Sequence, residues 1–209
     1  MSNYINGDEH LFVPGMTGSG KTFLVQYYAS LIPKITYVLD TKGTFEWIHV
    51  PLSEKIIVTS LDQLEHASRS YKRVIYRPRR EELDFEFYNA FFEYCYFRKQ
   101  CSVIVDEAMQ ICPSPSKIPE FYKGILTRGR ELDVNIWSCT QRPATIPVVI
   151  YSEATHWFVF KLNSANDRKR LAEFTGYDIF NDSIPKRVFI YWNSNSGNEP
   201  EKGTLTIRG

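Results

Sequence analysis

The sequence has no long hydrophobic run. Its longest unbroken apolar stretch is Val188 to Trp192, far short of the roughly 20 residues a helix needs to cross a bilayer, so an integral membrane protein is not expected. Cysteine is sparse. Cys95, Cys101, Cys112 and Cys139 form no Cys-x-x-Cys pair and have no histidine at zinc-finger spacing, which argues against a structural zinc site and a disulfide scaffold and leaves buried thiols as the expectation. An excess of either charge is missing too, with 25 Lys and Arg against 24 Asp and Glu and a formal net charge of +1. Proteins that coat nucleic acid over a broad surface carry a basic excess, so the balance counts mildly against that role. The opening MSNYINGDEH has no basic segment followed by an apolar one, and an intracellular chain is therefore expected. No internal repeat or low-complexity tract is present.

What the chain does have is the composition of an ordinary globular protein: 209 residues, 43% of them hydrophobic and 23% charged. That length suits one domain covering residues 1–209. Short β-branched runs recur at 10–13, 35–39, 56–59, 73–76, 102–105, 134–138, 155–160 and 188–191, and helical patterns fall at 22–32, 81–99 and 117–127. Strands that are apolar on both faces and alternate with helices imply an α/β fold with a mainly parallel sheet flanked by helices. After Pro185 the closing runs are joined by only a loop, which predicts an antiparallel hairpin at the sheet edge. In the first helix Phe23, Tyr27 and Leu31, with Leu24 and Tyr28 beside them, have the spacing of one buried stripe.

Gly15-Met16-Thr17-Gly18-Ser19-Gly20-Lys21-Thr22 satisfies G-x-x-x-x-G-K-[ST], a pattern that average composition produces by chance in on the order of one chain in 100 of this length. Its glycines allow a tight turn whose successive N–H groups face phosphate oxygens, and the following helix adds its positive end. Here the motif follows a strand and opens an amphipathic helix, as a phosphate loop requires. Lys21 then serves the β- and γ-phosphates of ATP and the Thr22 hydroxyl ligates Mg²⁺, while Gly15, Thr17, Gly18, Ser19 and Gly20 form the cradle.

A second motif is the apolar strand ending in Asp106-Glu107. At a strand tip beside the phosphate loop, Asp106 suits the Mg²⁺ hydration shell, and Glu107 is placed to orient and deprotonate an attacking water. An acid directly after the metal ligand favours hydrolysis over transfer to an acceptor. Further on, Gln141 at the next strand tip either contacts the γ-phosphate and its water or satisfies backbone groups before Pro143. Arg128 and Arg130 are either surface charges favoured at a helix end, or one of them reaches a neighbouring subunit's γ-phosphate, with Arg130 preferred over Arg128. A P-loop kinase with these arginines as its lid, and a nucleotide-switched assembly protein, are the alternatives.

The strings GMTGSGKT, VIVDEA and TRGRELDVNIWSCTQRP, in that order, resemble the FtsK/HerA superfamily of hexameric DNA-pumping ATPases over about residues 11–143, with Arg130 eleven residues before Gln141 as the most specific part. The chain lacks accessory modules and in this is similar to the genome-packaging ATPases of icosahedral viruses with an internal membrane. The resemblance implies a RecA/ASCE-like P-loop NTPase fold, catalytic Glu107, Lys21, Gln141 and Arg130 or Arg128, and metal contact through Thr22 and Asp106. It further implies a homo-oligomeric ring, a hexamer, that translocates double-stranded DNA without reading bases. Viral capsid or membrane-vertex proteins would be its partners, and its location the host cytoplasm with the virion vertex. For DNA contacts the sequence offers Arg77, Arg79 and Arg80, or Arg168, Lys169 and Arg170. The aromatic helix from Phe85 to Phe97 carries more rings than one stripe can bury, so part of it is expected to form a subunit or capsid surface.

Overall fold

The computed structural model describes residue 5 and residues 8–206; of the opening decapeptide, residues 1–4, 6 and 7 lie outside the described residues. Among the described residues nine strands form one sheet: β1 Leu11–Pro14, β2 Ile35–Leu39, β3 Lys55–Val58, β4 Arg73–Tyr76, β5 Cys101–Val105, β6 Val134–Thr140, β7 His156–Phe160, β8 Val188–Asn193 and β9 Glu201–Thr204. Their order is β3-β4-β2-β5-β6-β1-β7-β8-β9. The first seven positions in that order are parallel, and β8 and β9 add antiparallel to the β7 edge, giving the expected mainly parallel sheet with a closing hairpin.

Seven α-helices among the described residues accompany it: α1 Lys21–Ser30, α2 Asp62–Ser68, α3 Phe85–Arg98, α4 Ala108–Ile111, α5 Glu120–Arg128, α6 Val149–Ser152 and α7 Ala165–Thr175. Handedness decides which face each one covers. The connections β1 to β2 and β2 to β3 run toward the β3 edge, whereas β3 to β4, β5, β6 and β7 run the other way. Right-handed crossovers then place the two groups on opposite faces. Accordingly α1 packs with Phe45, Trp47 and Val50 of the β2–β3 connection on one face, and α2, α3, α5, α6 and α7 bury their apolar residues on the other. Alternation along the strands feeds both cores, as where Val103 and Val105 face one and Ile104 the other.

Element ends follow local chemistry. Helix α3 begins later than its apolar pattern because Asp84 caps it, its carboxylate accepting from Phe87 N–H at 2.9 Å. Helix α5 starts after Pro119, whose fixed φ suits a helix entrance. The expected stripe of α1 is corrected by the structure. Leu24, Val25 and Ala29 are buried, while Tyr27 and Leu31 are 49% and 64% exposed, because the sheet meets this helix along the neighbouring row and leaves Phe23 and Tyr27 to pack edge-on against His49. In α3 the rings are almost all used: Tyr88, Phe91 and Phe92 are buried, Tyr94 and Tyr96 are half-buried, and Phe97 alone of the eight is classed as exposed. All four cysteines are free and buried, and no helix among the described residues is long and apolar enough to cross a membrane.

Candidate active site

Because β1, β6, β5 and β2 are adjacent and parallel, the turns at their carboxyl ends converge on one region. The loop after β1 is tied to its neighbours, with Gly15 N–H donating to Thr140 carbonyl at 2.9 Å and Met16 N–H to Lys161 carbonyl at 2.7 Å. Gly18 and Gly20 take φ of +71° and +115°, a backbone that side chains with a Cβ enter only under strain. At Gly15 the constraint is space, since a Cβ there would lie 2.6 Å from Phe160 Cβ. Lys21 is folded over the loop, its Nζ donating to the carbonyls of Gly15 at 2.6 Å and Met16 at 3.1 Å; burial lowers its affinity for the proton, opposed by the neighbouring Glu107 and Asp106 carboxyl groups. The buried Ser19 hydroxyl has no hydrogen-bond partner among the described residues.

Asp106 and Glu107 sit at the tip of β5 with different partners. One Asp106 oxygen accepts from Thr41 N–H at 3.1 Å and Thr41 Oγ1 at 2.9 Å, the other from Lys42 N–H at 3.3 Å. Burial nonetheless pushes its carboxyl up to about 6, against those Thr41 hydrogen bonds and with the Asp40 charge adding to the rise. Glu107 is completely buried. Its Oε1 accepts from Gln141 N–H at 3.0 Å, and its Oε2 accepts from Gln141 Nε2 at 3.0 Å and from Lys42 Nζ at 2.6 Å. Gln141 Oε1 in turn accepts from Thr17 Oγ1 at 2.9 Å. A continuous polar chain thus joins the phosphate loop, through Gln141, to the acid.

The turn carrying Gln141 is itself anchored. Buried Asp167, in the first turn of α7, accepts from Arg142 Nε at 2.8 Å and Ala144 N–H at 2.9 Å. On the other side the β8–β9 hairpin leans on the loop, where Arg187 N–H donates to Ser19 carbonyl at 2.9 Å and Lys186 Nζ lies 3.9 Å from the place a Gly18 Cβ would occupy.

These groups suit a nucleotide with a divalent cation. The loop offers N–H groups, an ammonium and an orphaned hydroxyl to phosphates, and Thr22 at its end is exposed. Among the described residues no cluster of three or more His, Cys, Asp or Glu could hold a metal. A cation here would need phosphate oxygens and water besides Thr22 and Asp106, which is the habit of Mg²⁺.

The motif residues from Gly15 to Thr22, Asp106, Glu107 and Gln141 are therefore brought together, but Arg128 and Arg130 are not. Both lie before the amino end of β6, whose carboxyl end touches the loop, so about 20 Å of strand separates them. The Arg128 guanidinium stands over the Tyr96 ring at 5.8 Å, and Arg130 donates to Thr155 Oγ1 at 3.0 Å. The expected DNA clusters are partly committed as well. Arg77 pairs with buried Asp40 at 2.9 Å, Arg168 donates to the carbonyls of Leu162 and Asn181, and Arg170 donates to Tyr151 OH. Sequence reasoning missed Thr41, Lys42 and Lys186. The first two become visible only once β2 is known to neighbour β5, and the third only once the hairpin is folded onto the loop.

No protein-family model and no curated protein sequence matches the chain. Solved structures do. The genome packaging NTPase B204 from Sulfolobus turreted icosahedral virus 2, in complex with ATP-gammaS, superposes with a TM-score of 0.78 at 17% identity, over 97% of this chain and 100% of that one. The pCW3 conjugation coupling protein TcpA with ATPgS gives 0.59 at 14% identity over 94% of this chain and 60% of its own. The N-terminal domain of zonular occludens toxin from Neisseria meningitidis gives 0.54 at 18% identity, over 96% and 94%. With its phosphate loop, paired acids and mainly parallel sheet, the chain has the fold of these P-loop NTPases.

Proposed function

We propose that this protein is an ATPase that uses Mg²⁺-ATP to move double-stranded DNA, packaging a viral genome as a ring of identical subunits. The observation that carries the chemistry is the Thr17–Gln141–Glu107 chain. It links the place where phosphates bind to the group that would take a proton from water, so loss of the γ-phosphate is felt at once by the strand tip of β6 and, through Asp167, by α7. Lys21 binds phosphate charge, Thr22 and Asp106 hold the cation, and Glu107 orients and deprotonates the attacking water. Glu107→Gln is expected to keep nucleotide binding and to lose turnover by roughly 10²- to 10⁴-fold; full turnover in that variant would remove Glu107 from this role.

The motor reading draws on the likeness to the packaging NTPase, whose whole length this one motor domain matches. One such domain is too small to enclose a duplex, and copies in a ring, a hexamer by the resemblance, would supply the enclosure. Arg130, or Arg128, acts in this reading on a neighbour's nucleotide, since neither reaches its own. Their place at the far end of β6 counts against a kinase lid built from the same two arginines. Capsid or vertex proteins are the proposed docking partners, in the host cytoplasm and at the virion vertex. ATP turnover with and without duplex DNA over a salt series tests the reading. Stimulation that fades as salt rises is expected; turnover indifferent to DNA would favour a nucleotide switch, and a phosphorylated acceptor would favour a kinase.

A further inference from the structure

The amino-terminal end of the sheet, opposite the phosphate loop, is electrically divided. Below β6, β1 and β7 the connections carry five acids, Asp8, Glu9, Glu131, Asp133 and Glu153, beside Arg128 and Arg130, whose guanidiniums meet Tyr96 and Thr155. Below β4 and β5 they are basic: Arg69 and Lys72 lead into β4, and Arg98 and Lys99 lead into β5. Lys34 leads into β2, which lies between β4 and β5, and its charge is paired with both Asp8 and Asp133. For a chain whose formal net charge is only +1, four exposed cations on the two turns that flank the start of β2 are a local concentration of positive field.

Between those two basic turns lies a groove of about 380 Å³ lined by Arg69, Lys72, Arg98, Ser70 and Gln100 among others. Arg69 pairs with Glu65 at 2.7 Å, whereas Lys72, Arg98 and Lys99 have no ion-pair partner among the described residues. The turn holding Arg98 and Lys99 is fixed in place, with Gln100 N–H donating to Leu132 carbonyl at 3.2 Å. Guanidinium, ammonium, hydroxyl and side-chain amide all donate hydrogen bonds, and together they suit phosphate oxygens without selecting a base.

We propose that this groove is a contact surface for the phosphate backbone of duplex DNA, an inference that rests on the translocase reading above. A second copy of the chain fits it less well. Of the five acids in the other half, Asp8 and Asp133 are held by Lys34 and Glu9 by His156, which leaves only Glu131 and Glu153 to meet a neighbour's cations. The clusters at Arg77 and Arg168 are weaker candidates because their guanidiniums are spent inside the fold.

The test is a Lys72→Glu, Arg98→Glu double variant of the full chain, titrated with a short fluorescent duplex in ATP-gammaS across a potassium chloride series. Neither residue touches the nucleotide site, so ATP turnover without DNA reports intact folding. Two lost phosphate contacts should flatten the slope of log affinity against log salt by about 1.8 and weaken low-salt binding by about tenfold or more. Lys72→Arg with Arg98→Lys should restore both. If the wild-type chain binds duplex and the reversal variant binds it with the same affinity and slope, this surface is wrong and the translocase reading stands. If the wild-type chain binds no duplex at any salt, both fall. A variant that binds duplex normally but sediments at lower mass would assign the groove to a second copy and overturn the proposal.

Discussion

Removing Lys42 is the most direct probe of how the buried carboxylate of Glu107 is held. Glu107 is completely buried, and its Oε2 receives a 2.6 Å hydrogen bond from Lys42 Nζ, whose side chain is 26% exposed. Deleting one partner of a buried ion pair costs about 3–5 kcal/mol when the survivor is left uncompensated. Here Gln141 still supplies two donors to Glu107 and the lysine is partly solvated, so Lys42→Ala should cost less, about 2–3 kcal/mol. For a chain of this size that is a fall in Tm of roughly 4–12 °C. The assay is thermal and urea denaturation without nucleotide for wild type, Lys42→Ala, Glu107→Gln and the double variant. Once Glu107 carries no charge, loss of Lys42 should matter little, so the cycle should give a coupling of about 1.5–3 kcal/mol. Simple additivity would show that the 2.6 Å contact is not holding the acid, and the reasoning would fail.

Other consequences are more local. Gly15→Ala must push a methyl to within 2.6 Å of Phe160 Cβ, so it should destabilise the chain by about 1–3 kcal/mol and weaken ATP binding, whereas Ala at the open Gly197 serves as a control for left-handed strain alone. Burial raises the Asp106 carboxyl to about 6 in the fold, so the folded chain keeps this proton longer than the unfolded one. Its contribution is fully present below the ordinary value near 4 and is lost as pH climbs through about 6, a difference of up to about 3 kcal/mol. Asp106→Asn should therefore gain on wild type in urea midpoint between pH 4.5 and 7.5; a constant gap between the two would refute it. Mixing Arg130→Ala with Lys21→Ala subunits should restore part of the ATP turnover that each lacks alone, since one supplies an intact phosphate loop and the other an intact arginine. Absence of any recovery counts against an arginine shared between subunits.

Much of the fold is legible along the chain because its signals are local. A β-branched run, a glycine turn and a proline act within a few residues, and strands β2 and β4 lie where their apolar runs predict. Short α2 is not visible in that way, since seven residues hold too few turns to show a period, and the second strand of the expected hairpin could not be placed, since Glu201–Thr204 has no apolar alternation. The glycine-rich loop after β1 was legible for a different reason, that a tight turn with Gly18 and Gly20 at positive φ leaves little freedom in residue type. Gln141 and Glu107 could be named singly, yet nothing in the order of residues states that one would bind the other.

The sequence by itself determined the glycine-rich turn after β1 and the alternation of strand and helix, because glycines at fixed spacing and apolar runs of fixed period act over short distances. Only the tertiary structure decided which row of α1 faces the sheet, that Lys42 reaches Glu107, that Arg128 and Arg130 lie beyond reach of their own phosphate loop, and that the basic turns before β4 and β5 meet in one groove. Those outcomes depend on strand order and crossover handedness, which bring together residues tens of positions apart, and no local pattern records them.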